Sequence, residues 1–494
     1  MKNYLFAMVL VLLIACNNSG DDKGLAPIGS VTNGSFEVTV SDNWDSIDGW
    51  EGSNAGGVSD DGYYAPVDGN NYAYLNAGEG WVKQKNRQLI EAGKSYILKG
   101  WTRSTNKPGN TAETIAEIAF LEGNKVVKST TNNVNVKDLK GIAATYPNDD
   151  GGNVWIDRGY RHQFADAHFI QDLSLDPIND PWEMVENSPY QQLDGLGFAV
   201  GNVIAGNNKY IYGTLYRDIP GEFYSSITLT EATDASNQTY TWTEPRVILD
   251  HEGSEFPWVL DAHLFYDEET NRLWMIWGGG VVYVAEMDPA TGDFLNVPED
   301  TEYDTHPEDM HTPVATWPET RDGWCGDDWS SCWMEGAALY KYDGRWYFFG
   351  SYGNLGANYT IRMGRGDSPT GPFYDKNGIN LMEFDGKRGV YGQSMLLGDE
   401  GGHRVPGHPH LWEENGQYFM GYDYRKDPTT EPDLMGIRRI HWVDGWPTVW
   451  TPIEVRLTAE ETAALDGKAL TVAFRNKGEA GSVLAIDKLE ITEE

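Results

Sequence analysis

Four stretches of the chain repeat one hydrophobic–polar pattern: an apolar strand, a short polar turn, then a second strand dense in aromatics. They are GFAVGNVIAGNNKYIYGTLY from Gly197, AHLFYDEETNRLWMIWG from Ala262, GAALYKYDGRWYFFGSYG from Gly336 and PHLWEENGQYFMGYDY from Pro409. The turns fall near Asn207, Glu269, Asp343 and Asn415, at spacings of 62, 74 and 72 residues. Each unit is followed by further strand-like sequence: YTWTEPRVIL, VVYVAEMDP, TIRMGRGDSP and GIRRIHWVDGWPTVW. A period of this length predicts blades of four antiparallel strands arranged around an axis. Residues 141–190 leave room for one more, irregular blade ending in SLDPINDPWEMV. The expectation is an all-β chain with a five-bladed β-propeller over residues 141–450. A double-sheet sandwich of the same strands is the competing arrangement.

A second texture occupies residues 30–140. Short runs alternate apolar and polar positions and are broken by Gly and Asn: NGSFE at Asn33–Glu37, YAYLNAGEGWVKQ from Tyr72, KSYILKGWTRS from Lys94 and AEIAFLEGN from Ala116. Period-2 patterning of this kind reads as antiparallel sandwich strands. The region resembles jelly-roll carbohydrate-binding modules, which open on a similar N-G-x-F-E stretch. Such modules finish on an apolar strand, a turn and a last strand bearing an Asp. That ending appears only at Ala469–Thr492, as ALTVAFRNKGEAGSVLAIDKLEIT. One sandwich split between 30–140 and 451–494, with the propeller inserted, accounts for both halves. An inserted domain whose own termini lie close together disturbs its host little. Two separate small sandwiches flanking the core are the alternative.

Lys2 precedes an apolar run from Tyr4 to Ile14, followed by Ala15 and Cys16. The run is shorter than the ~20 residues a spanning helix needs and suits a signal-peptide core. A cysteine directly after Leu13-Ile14-Ala15 resembles the bacterial lipobox, so residues 1–23 are expected to be a lipoprotein signal and tether. That places the protein in the cell envelope, as an outer-membrane lipoprotein facing the surface or the periplasm, touching the membrane only through its lipid. Outside the reducing cytosol, Cys325 and Cys332 in WCGDDWSSCW are expected to pair or to remain two free thiols. Acidic residues outnumber basic ones 75 to 37, a net charge of −38, which excludes a nucleic-acid backbone as partner and weighs against a heavily anionic glycan. The 19 Trp and 27 Tyr supply strand core and, at exposed positions, flat faces for sugar rings.

From about residue 190 to 450 the chain resembles glycoside hydrolase family 43, particularly its arabinanase-like members. The matching stretches are WVLDAHLFYDEETNRLWMIWG, EMDPATGDF, MEGAALYKYDGRWYFFGSYG, IRMGRGDSPTGPFYDKNG, VPGHPHLWEENGQYF and the closing DGWP. The resemblance implies inverting hydrolysis of a polysaccharide or oligosaccharide containing arabinose or xylose, with no organic cofactor. It also implies roles. Glu335 of MEGAALY stands where the family has its general acid, and Asp261 of WVLDAHLF where it has the Asp that keeps the acid protonated. Ala262 and Ala337 replace the family's prolines after these carboxylates. The general base has no clean match. Asp166 lies in FADAHFIQD, which mirrors VLDAHLFYD around Asp261; Asp138 and Asp150 fit the strand spacing better but lack the motif. His408 of VPGHPH matches a family histidine that supports a water-coordinated ion, often calcium, although Val405 replaces the first Gly of that motif. A hydrogen-bonded structural histidine is the alternative there, and for the carboxylates it is a solvated strand end. At the level of function, the alternative to an enzyme is a surface glycan-binding lipoprotein with a degenerate site.

Overall fold

The structure, a computed structural model, describes residues 31–494 except 32, 53–55, 60–64, 79, 85–87, 108, 141, 143–153, 158–166, 186–197, 220–221, 233–241, 251–257, 296–309, 317–332, 383–393 and 428–433. Residues 1–30, Cys325, Cys332, Asp150 and Asp166 therefore lie outside the described residues.

Two sheets are built from both ends of the chain. One has the order Trp50–Glu51, Val82–Gln84, Ala469–Asn476, Ile115–Glu122, Lys125–Asn133, with Gln88–Leu89 also on the Ala469–Asn476 strand. The other runs Gly56–Ser59, Tyr72–Asn76, Val483–Glu493, Tyr96–Ser104, Thr451–Leu457. Thr471–Asn476 pairs antiparallel with Ala116–Leu121, so a strand near the carboxyl end sits in the middle of an amino-terminal sheet. Strand alternation then sorts the side chains. Ala116, Ile118 and Phe120 join Val472 and Phe474 in the core between the sheets, while Ala119, Leu121 and Ala473 face the other way. Trp44, Trp50, Phe36 and Phe474 close that core with tilted and edge-to-face contacts.

Residues 198–448 form four four-stranded antiparallel sheets. Their first strands are Phe198–Ala205, His263–Asp267, Trp333–Tyr342 and Arg404–Glu414, and these lie side by side in that order. The Asp-Gly and Asn-Gly hairpins have positive φ at both central residues: 49° and 72° at Asp343 and Gly344, 53° and 73° at Asn415 and Gly416. That is the type I′ turn, whose twist matches the strands it joins. The sheet in the fifth place departs from a regular blade. It has three described strands, Val154–Asp157, Ala167–Ile170 and Glu183–Met184, and its first pair is parallel. Phe169 and Trp182 of this region pack with Leu139 against Trp412, Phe419, Met435 and Ile437 of the last sheet.

The sandwich meets the propeller through a buried ion cluster. Arg103 of the Tyr96–Ser104 strand donates through Nε to Glu400 Oε2 at 3.1 Å and through Nη1 to the Leu396 carbonyl at 3.2 Å. Arg438 of the last sheet reaches the same Glu400 oxygen at 3.2 Å. Around it, Ala65 N–H donates to the Met395 carbonyl, Gly109 N–H to that of Gly401, and Trp450 Nε1 to that of Ala65. A buried ionic group that loses its partner costs about 3–5 kcal/mol, so this seam fixes the two domains against each other.

Because Val483–Glu493 and Thr451–Leu457 flank Tyr96–Ser104 on its two sides, a chain ending at Trp450 loses both neighbours of that strand at once. It should aggregate or lose residues 31–133 rapidly to limited proteolysis. A protease-resistant amino-terminal fragment would show that those strands fold without the carboxyl end.

Candidate active site

The first strands of the sheets bring their leading residues to the axis, where side chains and backbone compete for space. Asp261 sits two residues before the His263–Asp267 strand with φ 57°, is 5 % exposed, and donates its N–H to Thr214 Oγ1 at 2.9 Å. Its Oδ2 accepts the N–H of Gly336 from the next sheet at 3.0 Å. Gly336 has φ 52°, and a Cβ there would stand 3.1 Å from Ser351 Oγ and 3.2 Å from His408 Cγ. Only glycine combines that backbone with that crowding. The register slips between Glu335 and Ala338, and the bulge re-aims Glu335 towards the axis.

Glu335 is half-buried, and its Oε1 accepts the hydroxyl proton of Tyr359 at 2.8 Å. On the last sheet His408 has φ 49° and Val405 φ 50°; the first gives its N–H to Ser351 Oγ at 2.7 Å and the second to Asp399 Oδ1 at 2.6 Å. A left-handed β-branched residue is costly, and strain of this kind collects at functional sites.

The electrostatics follow from closeness and burial. Burial first, then the charge of Glu335, pushes the Asp261 carboxyl well above the usual carboxylate range, with the Gly336 N–H opposing. A second carboxylate nearby makes it costlier to ionise Asp261 as well. Burial brings His408 down to about 4, and burial together with His408 brings His263 down to about 3. His263 Nε2 and His410 Nδ1 are 2.8 Å apart and share one hydrogen bond.

Of the residues expected from sequence, Glu335, Asp261 and His408 meet at this point. Asp166 and Asp150 lie outside the described residues. Asp138 does not behave as a general base. It lies at the domain seam, accepting from Tyr424 at 2.9 Å and Lys426 at 3.0 Å and bonding His403 at 3.1 Å, and these partners hold it far below the usual carboxylate range. A carboxylate so strongly stabilised in its ionised form is a poor proton acceptor. The described groups around His408 include the imidazoles of His263 and His410, whereas calcium takes oxygen ligands, so a calcium ion here would meet His408 through water, as the family resemblance implies. Sequence reasoning missed Thr214, Ser351 and Tyr359. All three act across strands or sheets, and no local spacing marks them.

A propeller carrying paired carboxyl groups, one buried and one half-open, holds the two groups glycoside hydrolysis requires. The chain belongs to glycosyl hydrolases family 43, whose model matches residues 182–447. It is 25 % identical over 227 residues to the extracellular endo-α-(1→5)-L-arabinanase 2 of Bacillus subtilis, covering 40 % of this chain and 43 % of that one. It is 28 % identical over 219 residues to the extracellular endo-α-(1→5)-L-arabinanase of Thermotoga petrophila, covering 40 % and 42 %. The chain thus spans less than half the length of these relatives. Among solved structures, the Thermotoga petrophila endo-1,5-α-L-arabinanase aligns at 20 % identity and a TM-score of 0.42, over 63 % of this chain and 75 % of that one.

The depressed histidines carry a sign. The unfolded chain takes up their protons below the ordinary value of 6.5, while the folded protein resists until about 4 for His408 and about 3 for His263. Their contribution to stability is therefore full above 6.5 and falls as pH drops from there, to about 4 for His408 and about 3 for His263. NMR of histidine-labelled protein should show both rings still neutral at pH 5. Replacing His263 by Gln should flatten the decline in denaturation midpoint over that window. Ordinary titration midpoints for both rings would contradict the burial argument.

Proposed function

We propose that the protein is a lipid-anchored, inverting glycoside hydrolase that cleaves α-1,5-linked arabinan. The observation that carries this reading is the Asp261–Gly336–Glu335 link, which sets a buried carboxyl beside a half-open one. Glu335 is the group with access to a substrate and serves as general acid, giving its proton to the glycosidic oxygen as the bond to the anomeric carbon breaks. Asp261 stays buried and, by repulsion, keeps that proton on the pair. A water attacks the opposite face of the sugar and passes a proton to the base, which we assign to Asp166. Its support is the sequence run Asp166-Ala167-His168, whose Asp immediately precedes the Ala167–Ile170 strand, matching Asp261-Ala262-His263, whose His begins the His263–Asp267 strand. One water is consumed, and solvent restores both carboxyl groups. The arabinan assignment follows the printed names of the curated relatives, which are arabinanases. The anchor rests on Cys16 after the apolar run and places the enzyme in the cell envelope. The intact carboxyl pair favours this reading over that of a glycan-binding lipoprotein without activity.

Glu335→Gln should lower the rate on arabinan by roughly 10²–10⁴-fold while calorimetry still detects oligosaccharide binding. Aryl arabinosides with activated leaving groups should suffer less. Wild-type turnover of arabinan by this variant would remove Glu335 from the role of acid.

Stereochemistry tests the assignment of roles separately. Proton NMR early in the reaction should show products of inverted anomeric configuration, because a base acting through water attacks from the far face. Retained configuration would mean a covalent intermediate and a different second carboxylate.

A further inference from the structure

The hydrogen bonds around Glu335 form a chain with a fixed direction. The His408 N–H donates to Ser351 Oγ at 2.7 Å, so the Ser351 hydroxyl proton points onward. It has two acceptors, the Gly336 carbonyl at 3.5 Å and the oxygen of Tyr359. Tyr359 in turn donates to Glu335 Oε1 at 2.8 Å. The ring is 4 % exposed, and burial together with the two nearby carboxyl groups keeps the phenol protonated. Tyr359 is thus a donor whenever the site is folded, and Glu335 Oε1 is always the acceptor.

The ring has a dedicated seat. A Cβ on Gly407 would fall against Tyr359 Cε1 and stand 2.5 Å from its Cδ1. Gly407 is not among the positive-φ glycines, so its backbone does not demand glycine. The tyrosine does. From the other side the turn before Tyr359 is pinned by Asn354 and Asn358, with Asn354 N–H on Asn358 Oδ1 at 2.7 Å and Asn358 N–H on the Asn354 carbonyl at 2.9 Å.

We infer that Tyr359 is the positioning residue of the acid, reserving Glu335 Oε1 as acceptor so that Oε2 carries the transferable proton, and that Gly407 is glycine in order to seat its ring. The inference rests on the reading of Glu335 as general acid. A glutamate on a bulge has three side-chain torsions and two equivalent oxygens, and without a donor the proton is spread over both oxygens and several rotamers. The Tyr359 bond also strengthens when Glu335 ionises, since a hydroxyl donates more strongly to a carboxylate than to a neutral acid. Its loss therefore makes the acid harder to ionise.

The test uses the full chain with two substrates: an arabino-oligosaccharide, whose leaving group needs protonation, and an aryl α-L-arabinofuranoside, whose leaving group does not. Tyr359→Phe should lower kcat on the oligosaccharide by about tenfold or more, the worth of a hydrogen bond to a charged group, with KM little changed. On the aryl substrate the loss should be small, and the alkaline limb of kcat/KM should move to higher pH. Gly407→Ala should reproduce this pattern by displacing the ring, and should add nothing in a Tyr359→Ala background, where the clash is gone. Equal losses on both substrates with an unmoved pH profile would mean that Tyr359 only packs, and would overturn the inference. Wild-type behaviour of Tyr359→Phe would overturn it too. Glu335→Gln in parallel keeps the two readings apart: if that variant still cleaves the oligosaccharide, the acid is misassigned; if it is inactive, the tyrosine variants are judged on their own.

Discussion

The 3.0 Å bond from the Gly336 N–H to Asp261 is the contact on which the site depends. It joins neighbouring sheets at the axis with a backbone donor, so it cannot rotate away as a side chain would. It also holds the backbone carrying Glu335 against the Asp261 carboxyl. Asp261 is held from the opposite side by Thr214, and Gly336 is crowded by Ser351 and His408. The residues of this small network come from four sheets: Thr214, Asp261, Gly336 with Ser351, and His408.

Holding backbone so close to an axis has a cost. Asp261, Val405 and His408 all occupy the left-handed region, at about 1–3 kcal/mol each by the usual reckoning. The surrounding packing must offset this. Much of it is local: Ala262, Leu264, Met275 and Trp277 lie in one buried cluster between the sheets that begin with Phe198–Ala205 and His263–Asp267, and Ala338, Phe349, Leu411 and Met420 in another between those that begin with Trp333–Tyr342 and Arg404–Glu414. The last sheet, which carries both Val405 and His408, is further braced from outside by the sandwich. Arg103 of the sandwich and Arg438 of that sheet meet on Glu400, just before the Arg404–Glu414 strand begins. The sandwich therefore supports the strained strand mechanically.

Charge is arranged differently at the axis and on the surface. The chain has an excess of 38 negative charges, yet the described residues at the axis include imidazoles held neutral by burial and a buried Asp261 carboxyl raised well above its usual range. Asp138 illustrates the opposite case. Surrounded by His403, Tyr424 and Lys426, it is locked as an anion and serves the seam.

The local features of this protein could be read from its sequence. The hairpins at Asp343-Gly344 and Asn415-Gly416 are dictated by residues that tolerate positive φ, and the alternation through Ala116–Leu121 assigns each side chain to a face. Glu335, Asp261 and His408 stand in distinctive sequence runs, and the fold brings them to one point. What only the tertiary structure decided are relations between segments distant in sequence. Asp138 had the right spacing for a base, but its role is set by residues 265 to 288 positions away. Tyr359, Ser351 and Gly407 carry no mark of their own in the sequence; the first two touch the acid or its neighbour only because a hairpin and a turn fold them back. The parallel pair in the sheet of the fifth place was equally invisible. Side-chain periodicity reports which face of a strand is buried, whereas strand direction and the partner across an axis are fixed only when the whole ring closes.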